Sequence, residues 1–214
     1  MQQIDPGRTA VYGASGTGKT TLVKQLVAKV PRAIIYDVKH EYSGFQMVTN
    51  MVDLMQAIKA KWASDFKIIY RPPIGTDREK ELNDLSNRLF QLQAPYKDED
   101  NPFWLPITLV VEEMSLCYRN VIRPADRDGF GELCSLGRAS GIGVIGVTQR
   151  PAQVGGNFKG NLSATYAFRL EDVNDIDVLR KKHGSHVAMD NPGLVTFECQ
   201  FLQAGNAERM KISP

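Results

Sequence analysis

Nine residues near the start of the chain, GASGTGKTT from Gly13 to Thr21, have the makings of a phosphate grip. Gly13, Gly18, Lys19 and Thr20 satisfy the spacing G-x-x-x-x-G-K-[ST], between the short apolar run AVY and a segment of helical period. Glycines at these points let backbone N–H groups turn inward around a phosphate, and the helix that starts at the lysine adds the positive end of its dipole. Lys19 then neutralises the outer phosphate oxygens and the Thr20 hydroxyl ligates Mg²⁺. We assign the whole stretch to nucleotide binding, with Ala14, Ser15, Gly16, Thr17 and Thr21 beside the four signature residues.

Hydrolysis needs a carboxylate to order the metal's shell and another to take a proton from the attacking water. The apolar run ITLVV ends in Glu112 and Glu113, where a parallel strand presents its ligand-facing carboxyl edge. Glu112 takes the metal position and Glu113 the general-base position of a Walker B pair. Most such pairs read Asp then Glu, and Glu112 is one methylene longer, so it reaches the metal either directly or through water. A third strand, GVIGVT, ends in Gln149 before Arg150 and Pro151. A neutral amide there hydrogen-bonds both a terminal phosphate and the lytic water, and so reports whether that phosphate is present.

These groups must be carried by alternating strands and helices. Leu22, Val23, Leu26, Val27 and Val30 recur at helical spacing up to Pro31, and AIIYD then reads as a strand buried on both faces. Asn50 caps a helix carrying Leu54, Met55, Ile58 and Trp62. KIIYR is the next strand, and after the Pro72–Pro73 break a helix runs from Asp77 to Leu92. APYKDEDNPFW and RPAQVGGNFKGN read as loops, the second mobile. A short helix passes through Leu133 and Leu136, TYAFRL is a strand, Val173 to Lys182 a helix, and LVTFE, QFLQ and RMKI are closing strands. The pattern is α/β: a mostly parallel central sheet flanked by helices, ending in a β-hairpin, as one domain over residues 1–214.

Bulk properties exclude several classes. A net charge of +2 gives no global reason for nucleic-acid binding, so any basic contact is local. Cys117, Cys134 and Cys199 are odd in number and far apart, which fits buried thiols in a reducing compartment rather than disulfides or zinc. No run approaches the roughly 20 apolar residues of a membrane span, and the N-terminus has no basic-then-apolar leader. We expect a cytoplasmic protein. No Asn-Lys-x-Asp guanine reader appears.

Together these motifs resemble the FtsK and HerA superfamily of P-loop ATPases. The likeness rests on GASGTGKTT, on YDVKHEY against that family's Asp-Pro-x-Gly-Glu-Tyr, on LVVEE, on GRASGIGVIGVTQRP, and on YAFRLEDVNDIDVLRKKHG. It implies a RecA-like sheet, ATP, Mg²⁺ and a homo-oligomeric, hexameric ring. The first core strand opens almost at Met1 and little follows the last hairpin. Such a size resembles the genome-packaging ATPases of membrane-containing icosahedral viruses, which pump double-stranded DNA into a preformed capsid. That resemblance implies a capsid or membrane vertex protein as a further partner, and a place in the virion. Two other readings stay open: a nucleotide-gated assembly protein without turnover, and a morphogenesis or secretion ATPase moving protein or single-stranded DNA.

A ring implies an arginine donated across the subunit boundary, and Arg138 leads, with Arg119, Arg150 and Arg169 as alternatives. Asp37 and Glu41 either orient metal-bound water or cap a turn. Duplex DNA would be held through its phosphates alone, by Arg119, Arg123 and Arg127 or by Lys159, or these residues form solvated loops.

Overall fold

The computed structural model describes residues 7–96, 105–124 and 128–213. Nine strands form one sheet in the order β3-β4-β2-β5-β6-β1-β7-β8-β9. They are β1 (Arg8–Tyr12), β2 (Arg32–Tyr36), β3 (Gln46–Val48), β4 (Phe66–Tyr70), β5 (Ile107–Val111), β6 (Ile142–Thr148), β7 (Ala164–Phe168), β8 (Glu198–Gln203) and β9 (Asn206–Lys211). The first seven strands run parallel, and β8 and β9 close the sheet as an antiparallel hairpin. Ile34 and Ile35 of β2, Leu109 and Val110 of β5, and Val144 of β6 are all buried, because helices cover both faces.

Coverage of the two faces is unequal. On one face α1 (Lys19–Lys29) lays Leu22, Val23 and Val27 on Val11, Ile35, Val110 and Val147. The other takes α2 (Met51–Ala60), α3 (Arg78–Gln93), α4 (Met114–Cys117), α5 (Gly129–Leu136), α6 (Gly156–Gly160), α7 (Val173–His183) and α8 (Ser185–Asp190). Local chemistry sets several boundaries. Asn50 accepts a hydrogen bond from the Asp53 N–H at 2.9 Å, and Asp77 accepts from the Glu79 and Lys80 N–H groups, so both helices start where a side chain replaces a missing backbone acceptor. The three thiols are buried, as expected, and burial pushes Cys199 up to about 12.

Three sequence expectations need correction, and two short elements were not foreseen. RPAQVGGNFKGN is not a mobile loop: Phe158 is fully buried and anchors α6, with Gly146 leaving room for its ring. LVTFE is not a strand until Glu198, because Phe197 has a left-handed φ of 63° and its N–H donates to the Thr17 carbonyl at 2.9 Å. Trp62 lies past the end of α2, stacked on the Arg32 guanidinium at 4.7 Å. Strand β3 and helix α8, of three and six residues, are too short to show a period. The central part of APYKDEDNPFW, residues 97–104, lies outside the described residues, as do Asp126 and Arg127.

Candidate active site

The phosphate loop follows β1 at the carboxyl edge of the sheet, anchored on both sides. The Gly13 N–H donates to the Thr148 carbonyl at 3.2 Å and the Ala14 N–H to the Arg169 carbonyl at 2.8 Å. Gly18 has a φ of 112°, and a Cβ there would lie 2.8 Å from the Phe197 ring, so glycine is needed for both conformation and space. Lys19, Thr20 and Thr21 open α1, where the first N–H groups of a helix have no intrahelical acceptor and point outward. The Lys19 ammonium donates to the Ala14 carbonyl at 2.7 Å, folded over the loop. Burial lowers its pKa, and the positive charge of Lys39 adds to that effect.

Strand order brings the remaining groups to the loop. β6 lies between β1 and β5, so Gln149, just past β6, stands between the phosphate loop and the two glutamates. A cleft of about 310 Å³ is lined by Ser15, Gly18, Lys19, Thr20, Gln149 and Lys39, with Glu41 and Phe197 on its rim. The phosphate loop and Gln149 thus share one cleft, and Glu113 lies next to it through its contacts with Lys39 and the Gln149 N–H.

Glu113 is held by four neighbours. Its Oε1 accepts from the Thr148 hydroxyl at 2.7 Å, the Ser115 hydroxyl at 2.7 Å and the Gln149 N–H at 3.3 Å. Its Oε2 faces the Lys39 ammonium at 3.5 Å, which in turn pairs with Glu41 at 3.1 Å. The backbone of Glu113 is left-handed, φ 54° and ψ 70°, a strained conformation for a side-chain-bearing residue, at the point where the chain leaves β5.

Glu112 points elsewhere. It is 1% exposed, and its Oε2 accepts from the buried Tyr42 hydroxyl at 2.8 Å. Burial pushes its pKa up to about 7, against the opposing effect of the tyrosine hydrogen bond. The carboxylate that meets the Thr20 hydroxyl is that of Glu41, at 2.9 Å. Magnesium keeps much of its water and takes one or two protein groups beside substrate phosphates, so a threonine hydroxyl with an adjoining carboxylate suits it.

Asp37 resolves as a turn former. It is fully buried and accepts from the Glu41 N–H at 2.9 Å, the Tyr42 N–H at 3.3 Å and the Arg71 guanidinium at 2.7 Å. The turn it folds places His40, at φ 62°, where the resembled motif has glycine. Lys39 was missed by sequence reasoning, since a charged turn of this kind normally faces solvent; its only signal was its place between Asp37 and Glu41.

The arginines fall apart in space. Arg138 precedes β6 and so sits at the amino edge, away from the phosphate loop. Arg150 pairs with the buried Asp175 at 2.7 Å and with Asp172, Arg169 with Glu171, and Arg119 with Glu79. Arg123 also reaches Glu79 and stacks on Tyr118 at 4.4 Å. The two loops weighed for DNA are joined, since the Asn120 N–H donates to the Gln153 carbonyl and the Gly155 N–H to the Tyr118 carbonyl. Lys159 donates to the Pro151 carbonyl.

Among solved structures, the genome-packaging NTPase B204 of Sulfolobus turreted icosahedral virus 2, in complex with ATPγS, superposes with a TM-score of 0.74 at 16% identity, over 99% of this chain and 100% of that one. The two chains share one fold. The conjugation coupling protein TcpA of pCW3, with ATPγS, matches at a TM-score of 0.61 and 16% identity, over 96% of this chain and 60% of that one. EssC from Geobacillus thermodenitrificans, a protein with ATPases 2 and 3, matches at 0.56 and 14%, over 97% and 39%. No protein-family model and no curated protein sequence matches the chain. Among the described residues, no helix is long and apolar enough to cross a membrane.

Proposed function

We propose that the protein is an ATP-hydrolysing motor that moves double-stranded DNA into a preformed viral capsid. The observation that carries this reading is the cleft lined by Lys19, Thr20, Gln149 and Lys39, with the Glu113 carboxylate fixed through Oε1 by three donors and facing the Lys39 ammonium through Oε2. A fold shared over its whole length with a genome-packaging NTPase that holds a triphosphate analogue supports the cargo.

In this reading the loop N–H groups and Lys19 bind the phosphates. Thr20 and Glu41 would hold the magnesium ion, with Glu112, whose carboxylate accepts from the Tyr42 hydroxyl, as a supporting acid. When bound, Mg²⁺ neutralises charge on the phosphate oxygens. Glu113 takes the proton of the attacking water on Oε2, and Gln149 orients that water. Arg138, at the far edge of one subunit, serves the cleft of its neighbour in a hexameric ring. DNA is gripped through its phosphates by the joined loops around Arg119, Arg123 and Lys159, in the host cytoplasm, with the ring docked on a capsid or membrane vertex protein.

Phosphate release measured with and without duplex DNA tests the proposal. Glu113→Gln is expected to lower kcat by roughly 10²–10⁴-fold, the usual worth of a general base, with nucleotide affinity retained. Stimulation by DNA is expected to show weak sequence preference and to fall steeply with salt. No turnover by the wild-type oligomer with DNA would replace the motor with a nucleotide-gated assembly protein. Stimulation by single strands alone would point to a different cargo.

A further inference from the structure

Lys39 occupies the one oxygen of the general base that catalysis needs free. Glu113 Oε1 is taken by two hydroxyls and a backbone N–H, so Oε2 is the oxygen left to accept a proton, and the Lys39 ammonium faces it at 3.5 Å. That ammonium is held in place from below by Glu41 at 3.1 Å. The turn beneath it is built on the buried Asp37, which binds two backbone N–H groups and Arg71, so Lys39 sits on a fixed support and not on a loose loop. Its side chain is about one-quarter exposed, and the exposed part lines the phosphate cleft opposite Lys19.

Burial disfavours the Lys39 charge, but the hydrogen bond and charge of Glu41 outweigh it, so the group is an ammonium throughout the neutral range. A cation with three rotatable donors, placed between a carboxylate and an anion site, moves to whichever partner carries more charge. A terminal phosphate brings nearly two negative charges and three acceptor oxygens; a diphosphate lacks that group.

We propose that Lys39 is the triphosphate sensor of the cleft: its ammonium covers Glu113 Oε2 until a terminal phosphate draws it away, which selects ATP over ADP and frees the base in one movement. The inference rests on the cleft binding a nucleotide, as proposed above. No bond is made or broken in the step; one ion pair replaces another. Lys39 is therefore a positioning residue for Glu113 and a binding residue for the substrate's terminal group.

The test is equilibrium binding of ADP and of a non-hydrolysable ATP analogue, with Mg²⁺, to the full chain. Lys39→Met is expected to leave ADP affinity within twofold and to weaken the analogue about tenfold, the worth of one hydrogen bond to a charged group. Lys39→Arg is expected to restore most of the preference. Where Lys39→Met alone does not fold, because Glu41 and Glu113 lose their cation, the double variant Lys39→Met with Glu113→Gln is expected to show the same tenfold loss. An unchanged ratio of the two affinities in either variant overturns the sensor. Wild-type protein that binds neither nucleotide overturns the nucleotide site itself, which the ratio does not address.

Discussion

The two edges of the sheet both bury charge, and they satisfy it differently. At the amino edge Arg8 is 3% exposed, and its guanidinium donates to the carbonyls of Cys134 at 2.8 Å, Ile142 at 3.3 Å and Leu133. Two of those carbonyls belong to the last turn of α5, where a cation is favoured by the dipole, and that of Leu133 also accepts from the Gly137 N–H. Arg32, at the start of β2, likewise donates to backbone carbonyls, of Leu105 and Trp62. At the carboxyl edge Lys39, Glu41 and Glu113 meet mostly other side chains, and Lys19, Lys39 and Glu41 line an open cleft. A charge neutralised by fixed backbone dipoles has nowhere to go. One neutralised by a mobile opposite charge can exchange partners, so the first arrangement builds a fold and the second serves a ligand.

The largest effect that would break this contrast is on stability. Arg8→Met should cost about 3 kcal/mol or more, because three buried carbonyls lose a charged donor, each such hydrogen bond being worth on the order of 1.5–3 kcal/mol. Urea unfolding checks it, with Glu113→Gln as the reference: that change keeps the shape and most of the hydrogen bonds of the side chain and should move the midpoint little. Equal losses from the two variants would show that the carboxyl edge is as structural as the amino edge.

The same division decides what the sequence shows. Spacing within one local segment was readable: the phosphate loop and its helix, the caps Asn50 and Asp77, and the apolar runs of the core strands all depend on residues near one another in the chain. Glu113 was readable as an acid at a strand end, but its partners Thr148 and Gln149 arrive from β6 and only the strand order places them. Lys39 and Glu41 were harder still, since KHE reads as a solvated turn until Asp37 is seen buried beneath it. Arg8 carries no sequence signal at all. The acceptors named above are main-chain atoms, and Gly137, part of the recognisable Gly-Arg segment, is where a Cβ would press on the guanidinium at 3.0 Å. Helix α6 was hidden by its glycines, and only Phe158 marks it as packed.

A smaller effect sharpens the comparison at the carboxyl edge. Glu112 is buried without a cation at hydrogen-bond distance, and its pKa stands at about 7 against an ordinary 4.5. Between those values the unfolded chain has released the proton while the folded chain still holds it. Stability therefore falls as pH rises from about 4.5 to about 7 and levels above that. Glu112→Gln should flatten this slope, measured by urea unfolding across the range, while Arg8→Met should leave the slope intact and lower the whole curve. A slope of the opposite sign would mean that Glu112 is ionised in the fold.

The smallest effect separates position from role. Asn50 also lies beyond the carboxyl end of a strand, but beside β3, at the far end of the sheet from β1, and its side chain does one local thing: it accepts the Asp53 N–H at the start of α2. Asn50→Ala should cost about 1 kcal/mol, the ordinary worth of such a cap, and leave phosphate release per folded molecule unchanged. If lying along the carboxyl edge were enough to couple a residue to the nucleotide, turnover would fall with it. If the cleft is defined by the mutual pairing of its charges, turnover stays, because none of Lys19, Lys39, Glu41 and Glu113 touches the capped turn.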